Sequence, residues 1–71
     1  MEKIAVIGLG MIGYELVKKY DELGYAVHII NRSDKNFFKN NANIDNYFVD
    51  ITNENKIKQT IENINPDFVI N

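Results

Sequence analysis

The stretch that decides the fold is Val6–Gly13, "VIGLGMIG", which spaces three glycines as G-x-G-x-x-G directly after the apolar run "KIAVI" of Lys3–Ile7. A short apolar run with a polar start and a glycine at its end reads as a strand buried on both faces. From Met11 the period changes. Ile12, Leu16, Val17, Tyr20 and Leu23 recur at three- and four-residue spacing, with Glu15, Lys18, Lys19, Asp21 and Glu22 in the gaps, the pattern of an amphipathic helix. Gly24 is its expected C-terminal cap. The glycines therefore lie between a strand and a helix, where each has a role: Gly8 for the tight turn, Gly10 for close approach of backbone N–H groups to a pyrophosphate, Gly13 for close packing of helix on strand. The helix N-terminus adds unpaired N–H donors and a partial positive charge. A purely structural turn is the competing reading of the same residues.

Downstream, "YAVHIIN" (Tyr25–Asn31) reads as a second strand, and "YFVDI" (Tyr47–Ile51) as a third that carries Asp50 at its end. The intervening "RSDKNFFKNNANIDN" has no clean period and is left unassigned, with Phe37 and Phe38 available to cover the sheet. Ile57, Ile61 and Ile64 mark one face of a second helix, for which Thr52 or Asn53 supplies the N-cap oxygen. Pro66 cannot continue that helix, and "DFVIN" after it reads as a fourth strand. Strands alternating with helices imply crossovers and a parallel sheet. The expectation is thus the first half of a doubly wound α/β domain, spanning residues 1–71 and truncated or partnered at its fourth strand.

The end of the second strand bears on which nucleotide is held. An acidic residue there accepts hydrogen bonds from a ribose 2′-hydroxyl and repels a 2′-phosphate. This chain has Asn31, Arg32 and Ser33 instead. A guanidinium is suited to bidentate phosphate contact and a hydroxyl can add a donor, so NADP is favoured, with NAD as the alternative; Arg32 as a solvated strand-end residue is the bland reading. Asp50 has two readings, a hydrogen bond to an adenine amino group or favourable placement at the next helix N-terminus. The expected cofactor-binding set is Gly8, Leu9, Gly10, Met11, Ile12, Gly13, Asn31, Arg32, Ser33, Asp50 and Ile51. His28, mid-strand among Val27, Ile29 and Ile30, reads as a packed histidine rather than a ligand.

Composition narrows the remaining classes. With 71 residues, 45% of them hydrophobic and 25% charged, the chain is an ordinary globular composition with room for one domain, which at this size buries about 60% of the surface its unfolded form exposes. A net charge of −2 with scattered lysines lacks the basic footprint that nucleic-acid binding needs. The chain has no cysteine, which removes disulfides, thiolate metal sites and a cysteine nucleophile. Glycines and early charges interrupt the first apolar run, so neither a signal peptide nor a membrane span is expected, and a cytoplasmic location is. The asparagine-rich stretches are read as compositional bias. No paired carboxylates, activated nucleophile or P-loop lysine stands out, so no catalytic or metal-ligating residue is expected in this stretch, and the reacting groups are expected beyond Asn71.

Taken together, "GMIG", "NRS" and "VDITNENKIKQTIENINPDFVIN" resemble the cofactor-binding half of the short-chain dehydrogenase/reductase superfamily, especially its extended branch of epimerases, dehydratases and sugar reductases. The resemblance covers essentially the whole chain. It implies a three-layer αβα Rossmann-type sheet, an NAD(P) cofactor, a Tyr-x-x-x-Lys catalytic pair that has no counterpart in these residues, and a small-molecule substrate held by a further C-terminal portion, with homo-oligomer formation compatible. One departure concerns the glycines, which that branch spaces as G-x-x-G-x-x-G, whereas Ile7 occupies the first of those positions here. "IGLGMIG" is similarly close to prephenate, hydroxyisobutyrate and phosphogluconate dehydrogenases. Amino-terminal domains of ATP-grasp ligases also look similar, through the glycine turn, the "LGY-V" entry to the second strand and "NPDFVI"; there the domain helps bind the acceptor substrate. A noncatalytic nucleotide-binding module is a third reading.

Overall fold

The structure is a computed structural model that describes residues 2–8, 11–32, 38 and 40–71. Its elements run β1 (Lys3–Ile7), α1 (Met11–Glu22), β2 (Ala26–Asn31), β3 (Ile44–Phe48), α2 (Glu54–Ile64) and β4 (Phe68–Ile70). All pairs are parallel, in the order β3-β2-β1-β4. The chain therefore builds outward from β1 to β3 on one side and then returns to lay β4 on the other. The order reverses between β1 and β4, and open parallel sheets bind ligands beyond the strand carboxyl ends at such a reversal.

Each helix covers one face of the sheet. Ile4 and Val6 of β1, Val27 and Ile29 of β2, and Ile44 of β3 are buried with Val17 of α1, and Tyr20, Tyr25, Phe38 and Ile70 pack around them. The alternate positions point the other way, as the two-residue side-chain period of a strand requires. Ile30, Val49 and Ile64 form a second buried cluster, flanked by Ile7, Tyr47, Ile57 and Ile61. Burial on both faces explains why β1 and β2 are nearly continuous aliphatic runs. The result is the three-layer αβα arrangement expected of the sequence.

Helix ends follow their local chemistry. Gly24 closes α1 with φ +91°, a conformation open to glycine, and its N–H donates to the Asp21 carbonyl (3.0 Å). Of the two candidate caps for α2, Asn53 takes the role, its side-chain oxygen accepting from Lys56 N–H (3.1 Å). Asn65 ends α2 in the left-handed conformation (φ 52°) with its N–H on the Ile61 carbonyl, and Pro66 follows.

The third strand differs from the sequence expectation of Tyr47–Ile51. It starts at Ile44 and ends at Phe48, in register from Val27↔Ile44 to Asn31↔Phe48. As an edge strand it has a neighbour on one side only, and it accommodates the exposed Asp45 and the half-buried Asn46. The apolar run at Tyr47–Ile51 marks instead the strand's end and the residues after it. Beyond Phe48 the partner strand has finished, and Val49 N–H makes one last bond to the Asn31 carbonyl (2.9 Å).

Candidate functional site

The carboxyl edge of the sheet gathers the turn after β1, the end of β2 and the segment after β3. At the turn, Gly8 has φ +80° and its N–H donates to the Ile30 carbonyl (2.8 Å), which ties β1's exit to β2. A Cβ at Gly8 would meet nothing within 4 Å. The demand for glycine here is thus one of backbone conformation and not of space. Alanine at position 8 should cost about 1–2 kcal/mol of folding stability from its left-handed backbone, measured by urea denaturation; a change within about 0.3 kcal/mol would mean that the turn relaxes freely.

Leu9, Gly10 and Ser33 of the expected cofactor set lie outside the described residues. Met11, Ile12 and Gly13 form the first turn of α1. That turn carries no acidic side chain, so its N-terminal N–H groups keep their positive end of the dipole uncompensated by a carboxylate of the turn. In α2 the corresponding position is filled from within, by Asn53 as cap and Glu54 in the first turn.

Asn31 closes β2 half-buried, with its side-chain oxygen accepting from Arg32 N–H (3.0 Å) and its carbonyl accepting from Val49 N–H. Asn31 thereby helps to organise the edge. Arg32 is exposed. Asp50 lies two residues beyond the end of β3, not at its last position as the sequence implied, and is exposed. One carboxylate oxygen accepts both the Thr52 N–H (3.0 Å) and the Thr52 hydroxyl (2.8 Å). These two bonds, with a smaller contribution from the Arg32 guanidinium, hold the Asp50 carboxyl below its ordinary range. Asp50 is therefore ionised and fixed near Arg32.

Thr52 was weighed in the sequence only as a helix cap, yet its role is to orient Asp50. The "D-I-T" spacing carried that signal, because an aspartate side chain readily accepts the N–H two residues on. Next to Asp50, Ile51 is half exposed and lines an open groove of about 520 Å³ with Ile7, Ile57, Ile61 and Asn71. The edge thus offers backbone N–H donors at one end, a guanidinium and a fixed carboxylate in the middle, and an apolar lip beside them. That set suits an elongated ligand with phosphate, polar and planar apolar parts.

His28 lies in the middle of β2, half-buried, with Nδ1 2.9 Å from the Tyr47 hydroxyl. Among the described residues no group of three or more histidines, cysteines or acids is placed to hold a metal ion, and no helix is long and apolar enough to cross a membrane.

The fold and this edge define a Rossmann-type α/β protein. Residues 4–71 match the NAD dependent epimerase/dehydratase family, and the chain belongs to that family. Among solved structures, a short chain dehydrogenase from Leptospira borgpetersenii with bound NAD+ superposes at a TM-score of 0.81 with 29% identity, over 99% of this chain and 30% of that one. A UDP-glucose 4-epimerase from Thermotoga maritima with UDP-glucose gives a TM-score of 0.75 at 29% identity, over 94% and 22%. An epimerase from Methanothermobacter thermautotrophicus, 24% identical with a TM-score of 0.74, shares the fold. In sequence, formate-dependent phosphoribosylglycinamide formyltransferases from Corynebacterium glutamicum and Corynebacterium efficiens are each 29% identical over 68 residues, 96% of this chain. The chain spans 16–17% of the length of those curated relatives.

Proposed function

We propose that this chain is the cofactor-holding segment of an NAD(P)-dependent oxidoreductase or epimerase/dehydratase, and that it takes NADP in preference to NAD. The observation that carries the reading is the shared edge. A glycine at φ +80° leads into a helix whose first turn has no acid, and Arg32 and Asp50 follow the parallel strands β2 and β3 at the same carboxyl edge. On this reading the N–H groups at the start of α1 take the pyrophosphate, Arg32 a ribose 2′-phosphate, Asp50 an adenine amino group and Ile51 the ring face, with the sequence placing Leu9, Gly10 and Ser33 beside them. When bound, the cofactor supplies hydride transfer at its nicotinamide. The segment's own residues bind and orient; the groups that act on substrate belong to a further portion of the enzyme.

The 29% identity to the formyltransferases supports a second reading, in which the same edge takes the phosphoribosyl group of an acceptor substrate. Calorimetric titration of the chain with NADP+, NAD+ and ribose 5-phosphate separates the two. Tighter binding of NADP+ than of NAD+ is the expected result. Heat with ribose 5-phosphate and none with either dinucleotide would overturn it in favour of the ligase-type reading.

A further inference from the structure

His28, Tyr47 and Asp45 form a polar cluster between β2 and β3 that the cofactor reading does not use. Register pairs His28 with Asp45, whereas Tyr47 pairs with Ile30 and reaches back along the strands to put its hydroxyl 2.9 Å from His28 Nδ1. The nearer Asp45 oxygen is 3.7 Å from the same nitrogen. One nitrogen thus faces two competing partners. The Tyr47 hydroxyl can donate to a neutral imidazole or accept from a protonated one, whereas a carboxylate at Asp45 can only accept and, being charged, is the stronger acceptor for a protonated ring.

The Tyr47 ring also packs against the Ile30, Val49 and Ile64 cluster. Val49 leads directly into Asp50 and Ile51. The other charged neighbour of His28 is Lys3 of β1, whose ammonium donates to the Ile64 carbonyl at the end of α2 (3.2 Å); α2 itself contributes Ile57, Ile61 and Ile64 to the cluster.

We propose that His28 is a proton-operated clasp: neutral, it accepts the Tyr47 O–H at Nδ1 and holds the ring beneath Val49; protonated, it donates Nδ1–H to Asp45 and releases Tyr47. Release loosens the Val49–Ile51 segment at the cofactor edge. As a statement about cofactor binding this rests on the function proposed above, but the switch itself does not. Burial opposes protonation of His28, with Lys3 acting the same way and Asp45 acting against both. The unfolded chain then binds the proton more readily, so the fold keeps this stability above about pH 6.5 and loses it as pH falls toward the folded midpoint.

The chain has one histidine, so its ring signals can be followed by NMR from pH 8 to 5 without nucleotide. The clasp requires three results: a midpoint below that of a free histidine; a rise of about half to one pH unit in Tyr47→Phe, which removes the bond to the neutral ring; and a fall in Asp45→Asn, which removes the partner of the charged ring. The amides of Val49, Asp50 and Ile51 should titrate with the same midpoint, well above that of the Asp50 carboxyl. A Tyr47→Phe midpoint equal to wild type, or Val49–Ile51 amides that stay flat while the ring titrates, would overturn the clasp. Neither outcome bears on whether a dinucleotide binds.

Discussion

Ile30→Ala is expected to remove about 2–5 kcal/mol of stability, the range for emptying a fully buried aliphatic position, and to leave the chain partly unfolded at 25 °C. Ile30 has no exposed surface and anchors the cluster on which α2 sits. A domain of 71 residues commands a total of only about 4–10 kcal/mol. The loss is therefore a large share of the whole. Ile30 also carries the carbonyl that receives Gly8 N–H, so the second core and the turn at the sheet's carboxyl edge are one structure. Urea denaturation followed by far-UV circular dichroism checks this, the chain having four tyrosines and no tryptophan. Phe48→Ala is the matched control, because Phe48 is about half exposed on the edge strand and should change stability far less. A loss below about 1 kcal/mol for Ile30→Ala would mean that α2 is not seated on the sheet.

The two-sided core also explains which parts of this fold are legible in the sequence. In β1, buried on both faces, every position from Ile4 to Val6 is apolar, and the expected bounds Lys3–Ile7 are the observed ones. Gly24 and Asn53 mark helix ends by chemistry that acts within a few residues, so they too can be read locally. β3 breaks this pattern because edge position is a property of the whole sheet. With one neighbour, it needs no continuous apolar run, and its bounds are set by where β2 begins and ends. A local reading therefore follows Tyr47–Ile51, which includes two residues that serve other ends: Val49 fills the α2 core, and Ile51 is a half-exposed lip of the groove.

The site divides along the same line. That Gly8, Arg32 and Asp50 share an edge follows from parallel topology, since all three come after strands that run the same way. How Asp50 is held does not follow from topology. The pair of hydrogen bonds from Thr52 depends on the chain turning just after β3, and the hydrogen bond from Val49 to Asn31 on where β2 stops. His28 shows the remaining gap. Its burial was legible from Val27, Ile29 and Ile30 around it, but its partner Tyr47 is brought in by a register that no local pattern encodes.

Arg32→Ala is expected to weaken NADPH by about 1–3 kcal/mol, the scale of a charge-assisted hydrogen bond, which is about 5- to 150-fold in Kd, and to leave NADH within about twofold. The discrimination arises because the two cofactors differ only in the 2′-phosphate that Arg32 is proposed to meet. Arg32 also acts on Asp50, and that second role must not blur the result. The Thr52 N–H and hydroxyl bonds rank above Arg32 among the causes that keep the Asp50 carboxyl low, so Asp50 stays ionised and oriented without the guanidinium. The adenine end of both cofactors is then unaffected. Because Arg32 is exposed, the NADPH preference should also shrink as salt screens the pair, and it should do so in wild type but not in Arg32→Ala. Lysine at position 32 should restore charge without the fork and recover only part of the loss. Equal weakening of NADPH and NADH by calorimetry would instead make Arg32 a support for Asp50, and the choice between the two cofactors would then lie with residues other than Arg32.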